Sequence, residues 1–98
     1  MTSTEARPVV NKAAAKEANE RGATLAHQQR YLEAAAALEE AIAHDPEFAD
    51  AFSNLGAILR RMGDIEGAIA QFAEAIRLQP AFAAAHYNIG NAYASKGD

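Results

Sequence analysis

Apolar residues recur along the chain at intervals of three and four, which is the spacing that forms one face of an α-helix. Short polar, glycine-containing or proline-containing segments interrupt this pattern. The pattern therefore predicts an all-α protein with five helices, at about residues 12–28, 31–43, 46–62, 65–78 and 81–96.

End signals accompany several of these helices. Asn11 precedes the first helix and is a suitable N-cap. The Gly63-Asp64 pair predicts a left-handed residue that ends one helix and a side chain that caps the next. Asp45-Pro46 predicts a helix start, with an aspartate cap and a proline at the first helical position, where its missing N–H costs nothing. Gln79-Pro80 is expected to open the last helix in the same way.

The chain also matches itself when it is shifted by 34 residues. Glycines, prolines and apolar residues then coincide, in the sets Gly22, Gly56 and Gly90; Pro46 and Pro80; Leu25, Leu59 and Tyr93; Ala34 and Ala68; Leu38 and Phe72. A fixed period of this length indicates helical hairpins that stack because one hairpin cannot bury its apolar face alone.

These repeats resemble the tetratricopeptide repeat (TPR) family, in which Leu-Gly, large apolar, alanine, aromatic and proline positions recur. The middle repeat fits best, with Phe52, Leu55-Gly56, Leu59, Gly63-Asp64, Ala68, Phe72, Ala75 and Pro80. The resemblance implies a right-handed α-α superhelix, or TPR solenoid, with two full helical hairpins plus a fifth C-terminal helix. We divide the chain into a flexible N-terminal arm, residues 1–10, and a TPR domain, residues 11–98, with repeats at about 15–48, 49–82 and, in part, 83–98.

The repeated glycines have a structural interpretation. A glycine inside a helix costs about 1 kcal/mol relative to alanine, so its recurrence at Gly22, Gly56 and Gly90 predicts close contact between the two helices of each hairpin. Ala34 and Ala68 are the expected small partners. We interpret these residues, with Pro46 and Pro80, as structural repeat positions.

In the TPR family the first helix of each hairpin lines a concave surface. The resemblance therefore implies a peptide-binding set made of Asp50, Ser53, Asn54, Arg60, Arg61, Tyr87, Asn88 and Asn91. Such a surface suits an extended peptide or a partner helix. Arg60 and Arg61 can meet an acidic group of the partner, or they can favour the helix C-terminus as solvated cations.

Asn54 and Asn88 lie one repeat apart, in Asn-Leu-Gly and Asn-Ile-Gly sequences. A carboxamide both donates and accepts, so it can pair with a peptide backbone without reading its sequence. The arrangement is similar to the asparagine ladder in the TPR superhelices of O-linked N-acetylglucosamine transferases. In the alternative, each asparagine bonds to the neighbouring helix and spaces the hairpins. The family's clamps for a C-terminal carboxylate need lysine and arginine at positions where this chain has neither.

Composition narrows the possible functions. The net charge of −4 argues against a nucleic-acid partner. No apolar run reaches the length of a membrane span and no signal-peptide core is present, so we expect a cytoplasmic protein without membrane contact. The three histidines, His27, His44 and His86, have no metal-ligand spacing, and His86 is interpreted as a partly buried packing residue in the place of Phe52.

No phosphate-binding loop or nucleophile motif is found, so we expect neither catalysis nor a cofactor or metal. The favoured function is a protein-interaction module. One alternative is an assembly scaffold that forms a homo-oligomer through its C-terminal helix. Another is a TPR fragment of a larger enzyme, such as a glycosyltransferase.

Overall fold

The computed structural model describes residues 9–97, and within them the chain forms helices without any strand. The five helices are α1 (Lys12–His27), α2 (Tyr31–His44), α3 (Ala49–Arg61), α4 (Ile65–Leu78) and α5 (Ala83–Gly97). The predicted all-α architecture is confirmed. Most of the predicted N-terminal arm lies outside the described residues, and its last two residues, Val9 and Val10, precede α1 with exposed side chains.

The helices stack in chain order, each one packing against the helix before it and the helix after it. In addition α1 contacts α3, and α3 contacts α5, whereas α2 and α4 do not touch within the described part of the chain. The first helices of the hairpins therefore lie closer together than the second helices. A stack that is tight on one side and splayed on the other is concave along α1, α3 and α5.

Two of the predicted end signals are confirmed in detail. The Asn11 side chain accepts a hydrogen bond from the backbone N–H of Ala14 at 3.0 Å and so caps α1. Gly63 has a φ of 90°, and Asp64 accepts from the N–H of Gly67 at 2.9 Å. The glycine thus provides the left-handed residue after α3 while the aspartate caps α4.

The predicted start of α3 at Pro46 is wrong, because the helix begins at Ala49. Asp45 is extended, as is usual for a residue before proline, with φ −144° and ψ 92°. Its carboxylate accepts from the N–H of Glu47 at 3.1 Å, and its carbonyl accepts from the N–H of Phe48, also at 3.1 Å. The aspartate therefore closes a turn that reverses the chain before the helix. In the same way α5 begins two residues later than predicted, at Ala83.

The first hairpin turns in the same way as the second, although Gln29-Arg30 replaces Gly63-Asp64. Gln29 adopts the left-handed conformation with a φ of 62°. The N–H of Arg30 donates to the carbonyl of Leu25 at 2.9 Å, and that of Asp64 donates to Leu59 at 2.8 Å. Both bonds are typical of a Schellman C-cap. The departure from the repeat pattern leaves the geometry intact, at a cost of about 1–2 kcal/mol for a left-handed non-glycine residue.

The close contact predicted at the repeated glycines is present in both full hairpins. A Cβ atom on Gly22 would lie 2.8 Å from the Cγ of Leu38, and one on Gly56 would lie 2.8 Å from the Cε1 of Phe72. Leu38 and Phe72 are both 1% exposed. These large side chains, more than the expected alanines, fill the space that the glycines leave, although the carbonyl oxygen of Ala34 would lie 3.3 Å from the Gly22 Cβ.

The third repeated glycine is different. A Cβ on Gly90 would meet nothing within 4 Å. The close contact that was predicted at this position is therefore not made within residues 9–97, because no helix covers this side of α5.

Candidate functional site

A shallow apolar slot lies between α1 and α3 on the concave surface. It consists of two adjoining hollows of about 180 and 190 Å³. We call it the α1–α3 slot, and it is lined by Gly22, Ala23, Ala26, His27, Tyr31, Leu38, Asn54, Ala57, Ile58 and Arg61. Glycine and alanine predominate where the two helices face each other, which leaves room above the buried side chains of Leu38 and Ile58.

Two polar contacts lie at the edges of the slot. The amide nitrogen Nδ2 of Asn54 donates to Oδ1 of Asn19 at 2.9 Å and so links α3 to α1. The guanidinium Nη1 of Arg61 donates to the hydroxyl of Tyr31 at 3.1 Å and links α3 to α2. Both contacts hold a hydrogen-bonding side chain in place beside an apolar floor.

The other predicted binding residues do not line the slot. Asp50 lines a separate hollow of about 590 Å³ near the N-terminal ends of α1 and α3, together with Lys16 and Glu20. Ser53 is buried, with 6% exposure, so it offers little surface to a ligand. The remaining residues are Arg60, exposed at the end of α3, and, on α5, the exposed Tyr87 and the half-buried Asn88 and Asn91.

Asn54 and Asn88 have different environments although they occupy the same repeat position. The bond from Asn54 to Asn19 corresponds to the alternative in which asparagine spaces the hairpins. The Asn88 carboxamide has no side-chain hydrogen bond to residues 9–97. Its donor and acceptor groups are therefore both available to a ligand.

Surface ion pairs use three of the five arginines in residues 9–97, but not the two at the end of α3. Within residues 9–97, carboxylates pair with Arg21, Arg30 and Arg77, whereas Arg60 and Arg61 contact none. The hydrogen bond from Arg30 lowers the pKa of Glu33, and the hydrogen bond from Arg77 lowers the pKa of Glu74. The C-terminal end of α3 therefore presents positive charge that no carboxylate of the described residues neutralises.

The comparison with protein families agrees with the stacked hairpins. The family model of the TPR repeat matches residues 22–63 and, in a second copy, residues 56–97. The two matches are offset by the period of the sequence and together span most of the chain. The chain belongs to the tetratricopeptide repeat family.

Solved structures support the TPR fold. Two crystal structures of MamA are each 31% identical to this TPR chain over 89% of its length, with a TM-score of 0.83. The chain spans about half of those proteins, namely 51% and 48% of their lengths. Among curated proteins, none matches the chain. The TPR solenoid is therefore confirmed, whereas the finer likeness to O-linked N-acetylglucosamine transferase repeats stays a prediction.

The histidines of the TPR domain are dispersed. His86 is exposed, and its Nε2 lies 2.7 Å from the carbonyl oxygen of Pro80, so its interpretation as a partly buried packing residue is wrong. Among residues 9–97, no group of three or more histidine, cysteine, aspartate or glutamate side chains is placed to hold a metal ion. None of the helices in this part of the chain has the length and apolar character needed to cross a membrane.

Two side-chain contacts beside the TPR slot were not predicted from the sequence. Asn19 occupies the repeat position of Ser53, one residue before that of Asn54 and Asn88, so the 34-residue register did not predict its bond to Asn54. Tyr31 begins a second helix, where the next repeat has Ile65, and its hydroxyl was not expected to face Arg61. The 34-residue register marks which helix face a residue occupies, but not which side chains meet across it.

Proposed function

We propose that this TPR domain is a non-catalytic protein-interaction module that holds an extended peptide, or a partner helix, across its concave surface. Membership of the family supports an interaction role. The observation that carries the finer proposal is the α1–α3 slot, in which an apolar floor lies between a fixed amide and a guanidinium without a carboxylate partner. Cytoplasmic localisation stays a prediction from the sequence.

The asparagines suit contact with a peptide backbone. Asn54 still has an amide oxygen and a second N–H after it donates to Asn19. Asn88 and Asn91 are half-buried on α5, and their carboxamides form no hydrogen bond with residues 9–97, since the Ser95 hydroxyl donates to the backbone carbonyl of Asn91. A peptide that crosses from α3 to α5 would find donors and acceptors spaced along its path, which favours an extended backbone.

Replacing the free asparagine is expected to weaken peptide binding. The probe is a capped octapeptide chosen from a random library displayed on phage against the immobilised protein. Asn88→Ala should raise its Kd several-fold, since a net hydrogen bond contributes about 0.5–1.5 kcal/mol, while the melting temperature stays the same. Fluorescence anisotropy and circular dichroism measure the two effects.

The matched control is Gln71→Ala, which removes a carboxamide from α4, outside the concave row. It should leave the affinity of the octapeptide unchanged. Equal affinity for the wild-type protein, Asn88→Ala and Gln71→Ala would contradict the proposed role of Asn88. If no selected peptide bound to the concave surface, that result would contradict the proposed function itself.

A second candidate, self-association, is favoured by the exposed side of α5. Residues 83–95 contain no aspartate, glutamate, lysine or arginine. Tyr87 and Tyr93 are 72% and 53% exposed, and the space beside Gly90 is open. Because this side lacks charge, two copies of the chain can meet across a two-fold axis without like-charge repulsion.

Light scattering tests this second candidate. The apparent mass should rise toward twice the chain mass as the concentration increases through the micromolar range, and Tyr93→Glu should abolish the rise. Leu32→Glu, which places the same charge at an exposed residue of α2, is the control and should dimerise normally. A monomer mass at high micromolar concentration would remove this candidate. No observation in residues 9–97 favours the third alternative, an accessory role within a larger enzyme, and it is not proposed.

A further inference from the structure

The α1–α3 slot has the shape and surface of a receptor for an apolar side chain. Ala23, Ala26 and Ala57 form its walls, and the buried Leu38 and Ile58 lie at its floor. Each hollow has room for several water molecules at about 30 Å³ each. Such water has few hydrogen-bonding partners in the slot, and its displacement by an apolar group is favourable.

The polar groups of the slot are unevenly distributed. No aspartate or glutamate lines either hollow, whereas the imidazole of His27 and the guanidinium of Arg61 do. The acidic residues Glu20 and Asp50 line the separate hollow instead.

Arg61 is already oriented for a ligand. Its guanidinium donates to the Tyr31 hydroxyl, which fixes the side chain at the edge of the slot without neutralising its charge. The remaining N–H donors of an arginine match the two oxygens of a carboxylate. Within residues 9–97 no carboxylate pairs with Arg61. The carboxylate of a bound peptide would therefore be its first anionic partner.

We infer that the α1–α3 slot selects peptides in which an aliphatic side chain, such as that of leucine, isoleucine or methionine, is followed within a few residues by aspartate or glutamate. The aliphatic group enters the slot between Ala23 and Ala57, and the carboxylate binds Arg61. This inference rests on the proposed peptide-binding function of the concave surface and states which peptides that surface prefers.

The first test has two parts. It determines which residues the selected octapeptides share, and it measures how filling the slot changes their Kd. The enriched peptides should share an aliphatic residue and a nearby acidic residue. Replacing that aliphatic residue by alanine should raise the Kd about tenfold or more, because most of its apolar contact is lost. Ala23→Leu in the protein should weaken binding to a similar extent. Ala23 is exposed, so the larger side chain occupies the slot without entering the core.

The control for slot filling is Ala70→Leu. Ala70 is an exposed alanine on α4, and the same substitution there should leave the Kd of the peptide unchanged. Circular dichroism of both variants establishes that each remains helical, so that a loss of affinity reports on the slot rather than on folding.

The second test concerns charge. Arg61→Gln should raise the Kd several-fold at low salt and reduce its dependence on ionic strength. Changing the acidic residue of the peptide to its amide should have the same effect on the wild-type protein and little further effect on Arg61→Gln. Arg77→Gln makes the same change of charge on α4 and should alter neither quantity.

The outcomes separate this inference from the proposed function. If selected peptides lose affinity with Asn88→Ala but lack an aliphatic residue, or bind Ala23→Leu normally, the inference is overturned while the proposed function stands. If the selected peptides share an aliphatic residue but show no preference for a nearby acidic residue, the inference is also overturned, because it requires both. If no peptide binds the concave surface, both proposals fail.

Discussion

Leu38→Ala should lower the free energy of unfolding by about 2–5 kcal/mol, the range observed for truncating a buried leucine. Leu38 is 1% exposed and packs in one cluster with Ala34, Leu55 and Ile58. It also fills the space above Gly22. The truncation removes apolar contact and leaves a cavity between α1 and α2. Because small domains are stable by only about 5–15 kcal/mol, this one change is expected to populate the unfolded state.

The same substitution at Leu32 is the matched control. Leu32 lies on the same helix but is 76% exposed, so Leu32→Ala should change the stability by no more than about 0.5 kcal/mol. Urea denaturation followed by circular dichroism measures both variants. Equal losses for the two variants would mean that the packing between α1 and α2 contributes less than the burial of Leu38 indicates.

Gly56→Ala and Gly90→Ala should change stability in opposite directions. A Cβ on Gly56 would lie 2.8 Å from the buried ring of Phe72, so α3 and α4 must move apart or the ring must shift. Such overpacking typically costs about 1–3 kcal/mol and exceeds the gain in helix propensity. At Gly90 a Cβ meets nothing within 4 Å, so alanine there should stabilise α5 by up to about 1 kcal/mol.

Thermal and urea denaturation of the two alanine variants measure this difference. The comparison is well controlled because both glycines occupy the same repeat position inside a helix. Stabilisation by both substitutions would show that the contact between Gly56 and Phe72 tolerates an added methyl group, and would contradict the close packing of the second hairpin.

Most of the fold followed from the sequence because its signals agree at several levels. The helix at residues 65–78 was predicted at its observed ends, since the apolar period and the Gly63-Asp64 turn point to the same boundary. The start of α3 was misplaced because an aspartate before a proline suits both a helix cap and a turn. The local sequence does not distinguish a helix cap from a turn. Which one forms depends on the distance that the connection between α2 and α3 must span.

The candidate site was less predictable than the fold. The repeat register assigned Asn54 to the concave row, yet it also assigned Ser53, which is buried. The hydrogen bond from Asn54 to Asn19 joins residues that are 35 apart in sequence. Such a pairing depends on the crossing of two helices and on side-chain conformations, which no periodic pattern encodes.

That bond between Asn19 and Asn54 has a consequence for the shape of the array. It is the one side-chain hydrogen bond between α1 and α3 in the described residues, so it restrains the angle at which one hairpin follows the next. A ligand that draws the Asn54 amide toward itself would relax this restraint. Occupancy and curvature would then be thermodynamically linked, and a change in the superhelical pitch would alter affinity in return.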